Sequence, residues 1–260
     1  MTAESSAPNS APAVVRAAAA LDAIAASETG RLPLSDLARE LDIPKSSASN
    51  VLQALEDAGL VARTQAGFAL GRKLVELGGA YLRRQDEIQE FHSYCESSPV
   101  LSKETVRMAL LDGKDVIYLA RYEGHPAVRF TSNVGDRMPA SLCAVGKALL
   151  ARRHEEDVLE MFPDGTALPG LTEHSITDPK KLRADLEAIA KRGWAFEDEE
   201  NTLGVVCVAV PIPTRGTHGA NLGLSVTALK ATFTKELEDA LVGELKNLAN
   251  ILGDPFLANA

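Results

Sequence analysis

The sequence predicts an α+β chain of two domains, a small N-terminal winged helix-turn-helix followed by a larger domain in which helices pack on an antiparallel sheet. Three observations carry this. The chain has 260 residues, 45% of them hydrophobic, more than one small core needs. Residues 13–71 hold three segments of helical period, then two short strand-like runs flanking Thr64-Gln65-Ala66. From Glu104 onward, runs with strand character alternate with amphipathic helical segments.

In chain order, residues 1–12 are small and polar and read as a flexible tail. Val14–Ala26, VVRAAAALDAIAA, is rich in the best helix former and sets Val14, Leu21 and Ile24 near one face. Leu34, Leu37, Ala38 and Leu41 give a second, short helix with Ser35 as its expected N-cap. Asp42 and Ile43 make the turn, and Pro44 suits the first position of a third helix. In that helix Ala48, Val51, Leu52 and Leu55 form the apolar side, leaving Ser46, Ser49, Asn50 and Gln53 as a polar stripe, with Gly59 closing the end. Leu60–Arg63 and Gly67–Leu70 then form a β-hairpin, the wing. Residues 72–95 are the linker region, with a helix over Arg72–Arg84 whose stripe of Leu74, Leu77, Tyr81 and Leu82 suits dimer contact. In the second domain, residues 96–260, Glu104–Leu111 and Asp115–Tyr122 are strands joined at Asp112-Gly113-Lys114. A helix starts at Ser141, another covers Pro179–Lys191 and closes at Gly193, Val205–Pro211 and Leu222–Thr227 are strands, and Thr234–Leu252 is the last helix.

Composition limits the function. The net charge is −9, yet residues 1–75 are nearly neutral, with seven Lys+Arg against eight Asp+Glu, so the acidity lies in the second domain. A nucleic-acid site must therefore be a local surface of the first domain. No apolar run is long enough to span a bilayer, and no signal peptide is evident. Cys95, Cys143 and Cys207 are odd in number and never in a C-x-x-C spacing, which fits a reducing cytoplasm.

Three blocks, in order, resemble the IclR family of bacterial transcriptional regulators: IPKSSASNVLQALEDAGLV, GDRMPASLCAVGKALLA and GWAFEDEENTLGVVCVAVPI. The resemblance runs from about Val14 to about Leu252. It implies a winged helix-turn-helix joined by a linker helix to a GAF-like α/β effector-binding domain, with no cofactor. The implied assembly is a homodimer or a dimer of dimers on a palindromic double-stranded DNA operator, with repression as the default and no membrane partner. Carried over, the DNA-facing positions are Lys45, Ser46, Ser47, Ser49 and Asn50, with Arg63 in the wing. The implied effector pocket falls on Met138, Ala144, Val145, Glu197, Cys207, Ser225 and Thr227. Two positions depart from the family pattern: Asn50 stands where a basic residue is common, and Ala140-Ser141 where a bulkier pair is common.

The residue types suit these roles. Asn50 can pair with adenine, serines donate or accept, and Lys45 near the helix start can reach guanine or phosphate. Arg72 and Lys73 add charge, and a dimer doubles every contact. Ser225 and Thr227 alternate on one strand, so both hydroxyls face one side. Helix amides exposed near Ser141 would suit a carboxylate or amide oxygen. Ala140 leaves room beside Met138, which points to a small organic acid or related acyl compound as effector, an aromatic one included. Cys143 and Cys207 are either cavity wall or ordinary core. Glu197–Glu200 is four acids in a row, a pattern that usually marks a solvated face. Three alternatives stand beside this reading: a Cys-His enzyme drawing on His92, His125, His154, His174 or His218; a metal sensor; and a ligand-binding dimerisation module that has lost DNA binding. The absence of any nucleophile elbow, P-loop, dinucleotide fingerprint or H-E-x-x-H motif weighs against catalysis.

Overall fold

The computed structural model describes residues 11–82, 86–124, 132–213 and 221–253. The chain divides into two compact units, Met1–Arg84 and Gln85–Ala260. All but the last two residues of the expected tail lie outside the described residues.

The first unit holds α1 (Pro12–Ala26), β1 (Arg31–Leu32), α2 (Leu34–Glu40), α3 (Lys45–Asp57), β2 (Val61–Thr64), β3 (Gly67–Leu70) and α4 (Lys73–Leu82). Ala20, Ile24, Leu37, Leu52, Leu55, Val61 and Phe68 make its core. Val14 is not part of that core: it is 67% exposed, and Ala20 rather than Val14 packs with Ile24. Helix starts differ from the sequence expectation by one or two residues. Pro33, extended at ψ 155°, stands as the cap of α2 in place of Ser35. Pro44 caps α3 from outside, and Lys45 is the first helical residue. The helix-turn-helix bend is a Schellman closure in which the N–H of Ile43 donates to Ala38 O and that of Asp42 to Arg39 O. Asp42 takes φ +48°, a conformation Asp tolerates better than most residues. The same closure recurs at the end of α3, where Leu60 N–H donates to Leu55 O around Gly59 at φ +73°. The wing is a three-stranded sheet ordered β1-β3-β2, because Arg31 and Leu32 pair with Ala69 and Phe68. Gly78 and Gly79 do not interrupt α4.

In the second unit, α5 (Asp86–Ser97) precedes β4 (Thr105–Asp112), β5 (Asp115–Glu123), β6 (Arg137–Pro139), α6 (Ala144–Leu150), α7 (Glu155–Met161) and α8 (Pro179–Arg192). β7 (Ala195–Asp198), β8 (Val205–Pro211), β9 (Leu222–Leu229) and α9 (Lys235–Gly253) complete it. Six strands form one sheet, ordered β6-β5-β4-β9-β8-β7, with every neighbouring pair antiparallel. One face packs on α6, α7 and α8 through Leu149, Leu150, Leu182, Leu186 and Ile189. The other packs on α5 and α9 through Phe91, Cys95, Leu241, Leu245 and Leu248. Phe91 and Cys95 are fully buried in this core, so the linker region expected over 72–95 is split between the units, and α5 belongs to the second. Being covered on both faces, β4 is buried along nearly its whole length. Val106 and Met108 face α9, while Arg107, Ala109 and Leu111 face the α6 side. The helix expected from Ser141 begins later: Ala140–Leu142 is a 3-10 turn and α6 starts at Ala144, because Gly146 packs so closely on Ala140 that a Cβ there would meet Ala140 O at 2.3 Å.

Candidate functional site

Two surfaces answer to the sequence-predicted residues. On α3, Ala48, Leu52 and Leu55 are buried, which turns the opposite side outward. Lys45, Ser46 and Asn50 are exposed, and Ser47 and Ser49 are half-buried. Among the described residues none of these five side chains makes a hydrogen bond or an ion pair, so their donors and acceptors are available. Arg63 is placed differently. Its Nε and Nη2 both donate to Glu56 Oε2, at 3.2 and 3.1 Å, and its guanidinium lies 4.8 Å from the centre of the Phe68 ring. The wing arginine is thus tied back to the last turn of α3. Lys73 pairs with Glu76 at 2.6 Å, whereas Arg72 is exposed without an ion pair among the described residues.

The second site is a cavity of about 360 Å³ between the sheet and the start of α6. Its floor is the polar part of the α6 face of the sheet, set by register. Glu197 on β7 stands opposite Cys207 on β8, Cys207 opposite Thr227 on β9, and Thr227 opposite Thr105 on β4. One row over, Ser225 stands opposite Arg107. Side chains connect this floor. Arg107 Nη1 donates to Thr227 Oγ1 at 2.7 Å, Thr227 Oγ1 meets Cys207 Sγ at 3.3 Å, and Glu197 is the next residue across the sheet from Cys207. Glu197 Oε1 in turn accepts the N–H of Asn201 at 3.0 Å, on the loop whose residues 201–204 form the rim. A polar row therefore crosses four strands from a guanidinium to the cavity's edge, hydrogen-bonded from Arg107 to Cys207 and from Glu197 to Asn201. Val145, Leu229 and the Tyr118 ring supply the apolar wall.

Burial sets the protonation of this floor. Glu197, 1% exposed, is pushed above the usual carboxylate range by burial, against the pull of the Asn201 amide. Burial raises the Cys207 thiol well above its ordinary value and Cys143 to about 12, so both stay thiols at neutral pH. Arg107 is lowered by burial, yet a guanidinium starts high enough to remain charged.

Of the residues expected at the effector site, Ala144, Val145, Glu197, Cys207, Ser225 and Thr227 line the cavity. Met138 does not; its Sδ accepts from Asn201 Nδ2 at 3.2 Å, so it stands behind the rim residue. Both Cys143 and Cys207 are wall. Sequence reasoning misses Arg107, Tyr118 and Asn201. For Arg107 a signal exists: in Thr105–Leu111, TVRMALL, a lone arginine interrupts a run that otherwise reads as buried on both faces. Two of the four acids turn inward, while Asp198 and Glu199 pair with Lys230 at the surface. Glu197 floors the cavity, and Glu200 Oε1 binds Lys147 Nζ at 2.6 Å. Lys147, 0% exposed, also binds Asp185 at 2.9 Å and Phe196 O at 3.4 Å. Burial opposes its charge, but the two carboxylates outweigh burial and hold it protonated.

Among the described residues no group of three or more His, Cys, Asp or Glu is placed to hold a metal, and no lining residue is a histidine. His125 and His218 lie outside the described residues. Among the described residues no helix is long and apolar enough to cross a membrane.

Two family models match the chain: IclR helix-turn-helix domain over residues 13–65 and bacterial transcriptional regulator IclR C-terminal over residues 79–252. The HTH-type transcriptional regulator BhcR of Paracoccus denitrificans is 30% identical over 243 residues, 91% of this chain and 86% of that protein. The transcriptional repressor IclR of Escherichia coli is 29% identical over 191 residues, 72% of this chain and 69% of its own. Among solved structures, an IclR homolog of Microbacterium hydrocarbonoxydans complexed with 4-hydroxybenzoate superposes with a TM-score of 0.78 at 23% identity, covering 95% of this chain and 100% of that one.

Proposed function

The chain belongs to the IclR family of bacterial transcriptional regulators, and from that premise we propose that it is a repressor whose hold on a palindromic operator is controlled by a small organic acid bound in its C-terminal cavity. It is a DNA-binding regulator with a C-terminal effector domain. The observation that carries the finer reading is the cavity itself, ring-sized at about 360 Å³, floored by hydroxyls, and built in the unit that does not bear α3. Ser225, Thr227 and Glu197 orient a ligand, and the apolar wall takes its body. The 4-hydroxybenzoate of the Microbacterium homolog belongs to the proposed ligand class.

On the DNA side, α3 enters the major groove with Ser46, Ser49 and Asn50 toward base edges, and Lys45 and Ser47 toward phosphate. Arg63 contributes only if Glu56 releases it. Such a small set of cations per subunit binds a polyanion because a homodimer sums two sets. The dimer contact runs along α4, where Val75 is 77% exposed and Leu77 and Tyr81 are about half exposed. Catalysis is not proposed: the relatives are regulators, and the two cavity cysteines are held as thiols by burial.

The test is selection of genomic fragments by the full-length protein, read by gel shift at fixed salt, then repeated with benzoate, 4-hydroxybenzoate and pyruvate. Recovery of a short palindrome that one of these acids releases supports the proposal. Failure to retain any fragment above non-specific binding refutes it.

A further inference from the structure

We propose that Leu203 sets the length of the compound the cavity takes: it covers the far end of a bound acid at the rim, so that an acid whose apolar body reaches the rim binds more tightly than a short one. This rests on the effector reading above and adds to it the residue that selects among organic acids by reach.

Leu203 is 60% exposed, and of the exposed large apolar side chains among the described residues it is the one that lines the cavity. A single exposed leucine is ordinary on a protein surface. This one is held at an opening by a fastened loop. The N–H of Glu199 donates to Val205 O at 3.0 Å, and Glu199 Oε1 accepts the N–H of Gly204 at 2.7 Å, which ties the two ends of the loop together. Glu199 adopts φ +61° in this closure, a left-handed conformation that is costly for a residue with a Cβ. Lys230 Nζ holds Glu199 Oε2 at 2.6 Å, and the hydroxyls of Thr172 and Ser175 donate to the carbonyls of Glu199 and Glu200, each at 2.6 Å. Further along, the N–H of Asn201 is held by Glu197 at 3.0 Å. With the backbone fixed on both sides of it, Leu203 keeps its apolar surface in water beside the cavity.

The lining changes character with depth. Glu197, Ser225 and Thr227 are buried on the floor, while Leu203 stands on the rim and shares the lining with Val205 and Leu229. A ligand with its polar end on the floor hydroxyls points the rest of its body toward the rim, and only a body long enough to arrive there covers Leu203. Covering apolar surface favours binding in proportion to the area removed from water. A short acid such as pyruvate stays on the floor and leaves Leu203 wet.

Calorimetric titration of the full-length protein with pyruvate, benzoate, 4-methylbenzoate and 4-ethylbenzoate reads this reach. Affinity is expected to rise in that order, by about fourfold for each added carbon that meets Leu203. Leu203→Ala, an exchange at an exposed site, should leave benzoate affinity within about twofold and abolish the gain from the 4-alkyl group. Leu203→Met should keep most of that gain. A leucine that only braces the loop predicts instead an equal loss for every acid with the order unchanged, and that result overturns the proposal. So does the absence of any alkyl gain in the unaltered protein, or a gain that survives Leu203→Ala; either leaves the effector cavity standing. If the gain survives and the variant sediments as a smaller assembly, the leucine serves a contact between copies and the proposal falls. No heat from any compound overturns the length reading and the organic-acid reading together. Length-selective binding that is lost in Leu203→Ala but leaves operator affinity unchanged upholds Leu203 and overturns the effector reading.

Discussion

The two units treat charge in opposite ways. In the first, every described cation is at or near the surface: Arg39, Arg63 and Lys73 pair with acids within a helical turn or across a short turn, and Lys45 and Arg72 are exposed. In the second, Lys147, Arg107, Glu197 and Glu200 are all buried. Exposed pairs are worth little to stability, whereas a buried charge depends wholly on its partners. The first unit can therefore spend its polar groups on an outside partner. The second has built them into its interior, where two settings separate: Lys147 binds Asp185, Glu200 and Phe196 O, while Arg107, hydrogen-bonded to Thr227, and Glu197, which accepts from Asn201, line a cavity.

The largest effect that could break this comparison is at Lys147. Lys147→Met leaves Glu200 buried without its cation and should cost the second unit about 3–5 kcal/mol. Thermal unfolding followed by calorimetry should show the second unit's transition falling while the first unit's stays in place. A loss under about 1 kcal/mol would mean that water already serves Glu200 and that its burial carries no dependence on Lys147.

The same contrast explains what is legible in the sequence. Helices α1 to α3 announce themselves because their charges stay outside, so apolar spacing maps directly onto the core. The errors there are small and local: Ser35 and Pro44 misplace helix starts, and β1, two residues long, is too short to show a pattern. In the second unit the missing information is long-range. Lys147 reads as an ordinary helical lysine, and only the fold brings it to Glu200, 53 residues away. The acidic run hides β7, because Glu197 and Glu200 turn inward only where Asn201, Cys207 and Lys147 await them. Helix α5 is a different miss: Ile88, Phe91 and Cys95 carry helical spacing, but the polar residues between them obscure it. The effector residues come by resemblance, and Met138 shows its limit, since a matching position stands behind the rim.

Next in size is the DNA face. Lys45→Ala should leave stability within about 0.5 kcal/mol, lower operator affinity about tenfold, and flatten the salt dependence by about one unit of slope. Arg63→Ala should do distinctly less, because Glu56 already holds that guanidinium. Glu56→Gln sharpens the point: freeing Arg63 should strengthen DNA binding a few-fold, about 1 kcal/mol or less. Gel shifts at two salt concentrations check all three. Equal losses from Lys45→Ala and Arg63→Ala would show that the pair to Glu56 opens at no cost.

The smallest effect probes whether the cavity floor behaves as interior. Burial raises the Glu197 carboxyl, so the folded protein holds that proton more tightly than the unfolded chain does. Its contribution to stability is complete below the ordinary carboxylate range and is lost as pH rises through the raised folded value. Glutamine imitates the protonated acid and can still accept the Asn201 N–H. Glu197→Gln should therefore gain stability relative to the unaltered protein between about pH 5 and about pH 8, by on the order of 1 kcal/mol. Urea unfolding at both pH values measures the difference. A difference that stays flat would place Glu197 in contact with water, and a difference of the opposite sign would mean that the carboxylate form is stabilised, with Arg107 reaching it through the chain of Thr227 and Cys207.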